Sequence, residues 1–291
     1  MKNRMNIRDT IIFGLANSGL FYVSRKVHDW LIPSYIRVFN YHDIPPHEFD
    51  NFKVQVEYLC SKFRCAHPSE ISSLVQGENL EKSEPAFLLT FDDGFESHGT
   101  YVADYLTTMG ITAIFFVPGA APDVVPSKQE VWALEHVVLK ARQSAAIQGR
   151  VFASWNTWQK KVKNHIIASH THDHVRFTDA VNKAEVIKQV TNSFESLQKE
   201  LGSCCKRFCW VGGELDSYSE EGVSGLAEAG AIECYTTCSR VITSGVDSRR
   251  IERTNLESSY SMARVSLAIS GLVDIRYVMK RKKLDRLYRR D

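Results

Sequence analysis

The chain has 291 residues, 44% hydrophobic and 24% charged, with a formal net charge of +2. That balance is ordinary for a globular protein and argues against a nucleic-acid binder held by bulk charge; the length allows one large domain or two ordinary ones. The seven cysteines are odd in number and contain no Cys-x-x-Cys pair, which indicates neither a zinc knuckle nor a disulfide framework and fits free thiols in a reducing compartment.

The N-terminus begins with Lys2, Arg4 and Arg8, and an apolar stretch then runs from Ile11 to Val23. It is too short to span a bilayer. Arg25-Lys26 follows it without a small-residue cleavage pattern. Residues 1–35 are therefore expected to form an amphipathic helix, either packed on the domain or lying on a membrane surface. The matching expectation for location is cytoplasmic, with the second case placing the chain at the inner face of the membrane.

Residues 36–41 read as the first core strand, ending at His42-Asp43 and stopped by Pro45-Pro46. Phe49, Phe52, Val56, Leu59 and Phe63 recur at three- and four-residue steps, the stripe of a core-facing helix. A short helix over 68–75 precedes a strand at 87–91. Val102, Leu106 and Met109 mark the next helix, closed at Gly110, and 112–117 reads as a strand ended by Pro118-Gly119. Residues 120–164 lose the rhythm and read as an insertion at the sheet rim, with a helical stretch over 131–142 and tryptophans at 132, 155 and 158. Those tryptophans suit either sugar rings or core. A strand over 166–170 restores order, followed by a helix striped by Val186, Val190, Phe194, Leu197 and Leu201 and closed at Gly202. Strands at 207–211 and 232–236 flank a further helix, and Val265, Ile269, Leu272 and Ile275 stripe a last one. Strands alternating with helices argue a single-domain parallel α/β sheet or barrel over about 36–275. The basic run of Lys280 to Lys283 with Arg286, Arg289 and Arg290 forms a tail over 276–291, read as a solvated helix end or as an attraction for anionic lipid or phosphate.

Two stretches carry chemistry. Leu88-Leu-Thr-Phe-Asp-Asp-Gly94 runs a buried strand into two adjacent carboxylates and a turning glycine. Asp-Asp-Gly can be a turn for backbone reasons alone, but acids at a strand end also sit at the sheet rim, where α/β proteins place their sites. His170-Thr-His-Asp-His174 follows another strand. On a helical turn, a four-residue spacing puts His170 and His174 on one face within reach of one ion. Two histidines and one carboxylate bind Zn, Fe(II), Co or Mn with positions left open.

The order Thr90-Phe-Asp-Asp-Gly94, then His170-Thr-x-x-His174, resembles the polysaccharide deacetylases, metal-dependent carbohydrate esterases that remove N-acetyl groups from sugars. Phe39-Asn-Tyr-His42 is similar to that family's opening strand, Phe115-Phe-Val117 to its next strand, Phe208-Cys-Trp-Val-Gly-Gly-Glu214 to its third motif, and Arg253 with Asn255 to its late strand. The resemblance implies a distorted (β/α) barrel with the site at the carboxyl ends of the strands. It implies Asp93, His170 and His174 as ligands of a divalent metal, Zn first, with Co, Mn, Fe and Ni as alternatives. It further implies Asp92 as general base and a backbone N–H, here assigned to Gly212, for the oxyanion. Thr171 is expected to brace the loop, and His172 to face away.

The chain departs from the family in two places. Val211-Gly212 stands where a Pro and an aromatic are usual, and no His follows His174 to act as general acid. His42 is the first substitute, then Glu214 and Asp216, with Asp92 serving twice as the remaining option. The expected function is removal of an N-acetyl group from an amino sugar, in a glycan intermediate of surface-polysaccharide biosynthesis. That substrate would be a nucleotide sugar or a lipid-diphosphate-linked glycan, with peripheral membrane contact and no nucleic acid. The alternatives are a catalytically impaired relative that binds metal and glycan, and a hydrolase of another amide or ester.

Overall fold

The computed structural model describes residues 7–80, 84–137, 147 and 149–288. Eight short strands alternate with helices: β1 (Ile36–Tyr41), β2 (Arg64–Cys65), β3 (Ala86–Phe91), β4 (Ile114–Val117), β5 (Ile166–Ser169), β6 (Arg207–Cys209), β7 (Glu233–Thr236) and β8 (Ile251–Asn255). Every ladder between them is parallel. The order β1-β8-β7-β6-β5-β4-β3 closes on itself because β1 also pairs with β3, so seven strands form a barrel and β2 hangs on β3. This is the deacetylase-type (β/α) barrel that the sequence led one to expect. β1 has its predicted bounds and β3 gains Ala86; β4 and β7 start one or two residues later than predicted, and β5 and β6 stop one or two residues earlier, where the turns carrying the site begin. β2 was not anticipated, since two residues carry no periodicity.

The strand pattern divides the core in two. Ile36, Val38, Leu88, Ile114, Phe116, Ala168, Cys209, Tyr235 and Ile251 fill the barrel interior, with Ile71 and Leu74 from the helix Ser69–Val75 packed against them. The alternate positions Phe39, Tyr41, Leu89, Phe91, Phe115 and Val117 face outward under the helices. There they meet Phe52, Val56 and Leu59 of the helix Phe49–Cys60, the stripe read from the sequence. The stripe Val186, Val190, Phe194 and Leu197 is likewise buried on the helix Lys183–Leu201.

Trp155 and Trp158 of the short helix Trp155–Gln159 are core residues, which decides between the two uses left open for them. The inserted helix is Pro126–His136; positions 138–142 of the predicted one lie outside the described residues. The N-terminal segment forms two helices, Ile7–Asn17 and Leu20–Leu31, with Lys2 and Arg4 outside the described residues. No helix among the described residues is long and apolar enough to cross a membrane.

The basic run differs from the solvated tail that was expected. It forms the helix Val278–Tyr288, docked by buried Leu284 and Tyr288 on the cluster around Trp210 and Tyr218. Lys280 donates to the carbonyls of Gly213 and Thr237, and Arg281 to those of Cys238 and Ser239. The apolar positions on one side of the helix draw it onto the barrel, and two of its cations then cap exposed strand-end carbonyls. Arg289 and Arg290 lie outside the described residues.

Candidate active site

The site lies where the strands end. Along β3 the pleat sends Leu88, Thr90 and Asp92 to one side and Leu89 and Phe91 to the other, so a continued strand would point Asp93 away from Asp92. Asp93 instead adopts a left-handed backbone, φ 74°, and Gly94 follows at φ 68° against Val117, where a Cβ would come within 2.9 Å of Cγ1. That reversal brings both carboxylates to the same cavity. It accounts for a glycine at this turn and for a side chain tolerated at an angle that costs about 1 kcal/mol.

The histidines arrive on the segment after β5, which is a loop and not the helical turn assumed from their spacing. Thr171 (φ 62°) and His174 (φ 57°) are also left-handed. Three of the four non-glycine residues with positive φ among the described residues therefore belong to this one site. Thr171 Oγ1 accepts the Val175 N–H at 3.0 Å, bracing the loop. His172 and Asp173 do not line the cavity, and Asp173 is held by Gln189 of the helix Lys183–Leu201.

His170 Nδ1 lies 3.0 Å from the Cys209 carbonyl, and His174 Nδ1 lies 2.7 Å from the His136 carbonyl. A carbonyl can only accept, so each Nδ1 carries the proton and each Nε2 presents a lone pair. Those Nε2 atoms stand 3.3 and 3.0 Å from Asp93 Oδ1. Three lone-pair donors, all within 4.8 Å of one another, repel unless a cation sits among them. The donor set and the carbonyls behind it therefore fit a divalent metal.

Asp92 stays off that cluster. Arg253 of β8 grips it with both Nη atoms, at 2.7 and 2.8 Å, and Asn40 Nδ2 adds a bond of 3.0 Å. Burial would raise the Asp92 carboxyl, and the Arg253 charge more than offsets it, leaving the acid below its ordinary value. Arg253 lies over the Phe116 ring and also bonds Asn40 and Thr90, so a polar layer closes the barrel interior beneath the cavity. Asp92, His170 and Cys209 also fall within ligand distance of one another. They make a poor alternative metal set, because Asp92 is committed to Arg253 and burial pushes the Cys209 thiol far above its ordinary value.

A cavity of about 370 Å³ opens over these groups and reaches His42, Gly212, Asn255 and Tyr277. His42 stands half-exposed at the end of β1, its Nε2 4.0 Å from Asp92 Oδ2. Gly212 sits at φ 81°, where a Cβ would fall 2.6 Å from Ser217 Oγ, so the third motif needs a glycine here once its usual pair is absent. Glu214 accepts from the Gly213 N–H and pairs with Arg176 at 3.3 Å; those backbone bonds and the arginine hold it ionised, which leaves it unsuited to donate a proton. Asp216 does not reach the cavity.

The structure brings together Asp93, His170 and His174, the three residues named from the sequence as ligands. Sequence reasoning missed Asn40, Arg176 and Tyr277 as cavity or network residues. Only Asn40 had a usable signal, as an amide in a core strand whose one charged residue is Arg37.

Residues 79–230 match the family model described as polysaccharide deacetylase. Among solved structures, the chain is similar to IcaB from Ammonifex degensii at 18% identity, covering 83% of this chain and 97% of that one with a TM-score of 0.62. It is similar to the deacetylase domain of BpsB from Bordetella bronchiseptica at 19% identity, covering 76% and 96%, TM-score 0.60. The Streptococcus pyogenes deacetylase PplD, solved in complex with acetate, shares 14% identity over 81% and 98%, TM-score 0.62. At these identities the likeness is one of fold. A comparison with curated proteins finds no match.

Proposed function

Since this chain belongs to the polysaccharide deacetylase family, we propose that it is a metal-dependent hydrolase that removes an N-acetyl group from an amino sugar, in a glycan intermediate of surface-polysaccharide biosynthesis. A cytoplasmic location at the inner face of the membrane belongs to the same proposal. The observation that carries the chemistry is the pair of adjacent acids: Asp93 meets two imidazole Nε2 atoms, while Asp92, in the same cavity, stays outside that cluster.

Asp93, His170 and His174 would hold the ion. When bound, it supplies a Lewis acid that acidifies water and polarises the acetyl carbonyl. Asp92, kept ionised by Arg253, accepts the proton of the attacking water. The water oxygen bonds to the acetyl carbon, the C–N bond breaks, and the departing nitrogen must gain that proton. We assign that delivery to His42, which lines the cavity with its Nε2 4.0 Å from Asp92 Oδ2. The N–H of Gly212, on the cavity wall, is assigned to the developing oxyanion.

The test is acetate release from chitooligosaccharide and UDP-N-acetylglucosamine, with Zn, Co, Mn or chelator, beside Asp92→Asn. Release should depend on metal and fall about 10²–10⁴-fold in the variant while metal stays bound. Because Asp92→Asn unpairs a buried arginine, its folding is checked by circular dichroism. Undiminished turnover in the folded variant would remove Asp92 as base. Stoichiometric metal without turnover on either substrate would favour a relative that binds glycan without cleaving it.

A further inference from the structure

The cavity over the metal cluster is bounded in part by Asn255 and Tyr277. Both residues also line a second hollow of about 510 Å³, which runs between the N-terminal helix Ile7–Asn17 and the helices Met262–Ile269 and Leu272–Arg276. The two hollows differ in character. The metal cavity is walled mainly by polar groups, whereas the second presents Ile11, Leu267, Leu272 and Val273. Arg264 and Arg276 stand in the same wall. Its carboxylate, Glu257, is turned to the hydroxyls of Tyr260 and Ser259. The N-terminal helices leave Phe13, Tyr22, Val23, Val27 and Trp30 at least half exposed, and Ile275 and Met279 of the C-terminal helices are exposed as well.

An apolar trough that carries a guanidinium group and shares a wall with a catalytic cavity matches an amphiphile with an anionic joint. We propose that this groove takes the hydrocarbon chain of a substrate whose acetylated sugar is joined to that chain through a phosphate or diphosphate. The chain lies along Ile11, Leu267, Leu272 and Val273. The phosphates meet Arg276, for which planar, weakly hydrated guanidinium is the suited partner. The sugar then passes Tyr277 and Asn255 to place its acetyl group at Asp92 and Asp93. A bilayer lipid would match the apolar wall equally well. The wall shared with the catalytic cavity favours the substrate, since a lipid held for anchoring alone has no need to lie beside the catalytic acids. This inference rests on the deacetylase reading and narrows its substrate class.

Two substrates test it on the full chain: citronellyl-diphosphate-linked N-acetylglucosamine, and UDP-N-acetylglucosamine as the chain-free counterpart. The KM for acetate release should be at least about tenfold lower for the chain-bearing substrate, as burial of a ten-carbon chain requires at a minimum. Leu272→Glu, on a helix with no fully buried residue, should bring the two KM values together. Arg276→Ala should raise the KM of both. Equal KM values for the two substrates, or indifference to Leu272→Glu, would overturn the groove while leaving deacetylation standing. If neither substrate releases acetate, binding of the citronellyl compound to the wild-type chain decides by calorimetry. Binding weakened tenfold or more by Leu272→Glu would keep the groove and retire the activity. No binding, or equal binding of a phosphatidylglycerol vesicle through the same residue, would retire the groove.

Discussion

At the scale of single residues, the site is an arrangement of charges that compensate one another in the barrel mouth. Asp92 is buried yet ionised because Arg253 is buried with it, and removing either leaves an unpaired charge. Glu96, three residues beyond Asp93, is the contrasting case. Its Oε2 is buried with no hydrogen-bond partner, and Arg150 Nε stays 3.6 Å away. Burial pushes this carboxyl from its ordinary 4.5 up to about 7, against the partial pull of Arg150.

In that window the folded chain keeps a proton that the unfolded chain has lost. Stability therefore falls as pH rises from 4.5 towards 7, and stays lowered above it. Glu96→Gln should stabilise the fold by about 1–3 kcal/mol at pH 8 and hardly at all at pH 4, read by urea unfolding at the two pH values. A gain of the same size at both would show that the proton is not the cause.

Among the elements, the inserted segment is the one whose effect on the site is least visible in its composition. Its helix Pro126–His136 ends at the carbonyl that fixes the His174 ring, and Trp132 stacks on His136 with centroids 4.4 Å apart. The helix is moored by Gln129, fully buried, which accepts the N–H groups of Val151 and Phe152 at 2.7 and 3.0 Å and donates to the Val124 carbonyl. Gln129→Leu fills the space but orphans three backbone groups, at a cost of about 2–4 kcal/mol. Because the His136 carbonyl shifts with its helix, metal affinity should fall about tenfold as well, measured by zinc titration against a chromophoric competitor. Lost stability with unchanged affinity would mean that the insertion does not set the ring.

Across the whole molecule, ring closure is what lets distant segments share one cavity, and among the ion pairs that tie the ring to the C-terminal helices one starts from β1. Arg37 of β1 is fully buried and meets both oxygens of Asp274, at 2.8 and 2.9 Å, while Ser239 bonds the same carboxylate at 2.7 Å. Arg37→Met should cost about 3–5 kcal/mol in thermal or urea unfolding, since Asp274 is left without its counter-charge. The double variant with Asp274→Leu should recover most of that loss. A double variant no more stable than the single one would place the cost in lost packing rather than in the unpaired carboxylate.

What the amino-acid sequence determined alone was whatever depends on near neighbours. Apolar strands running into Asp92-Asp93-Gly94 and His170 to His174 put acids and imidazoles at strand ends, and the stripes of Val186 to Leu197 and Phe52 to Leu59 oriented the helices, because pleat and helical period act over a few residues. Tertiary structure decided the rest. Arg253 meets Asp92 because β8 and β3 both flank β1, and His136 meets His174 because an insertion folds back over a loop. Tyr277 enters the cavity because the basic helix beyond it docks through Leu284 and Tyr288 instead of standing in water. No local periodicity encodes such meetings. They follow from the register with which seven strands close into a ring, a property of the chain as a whole.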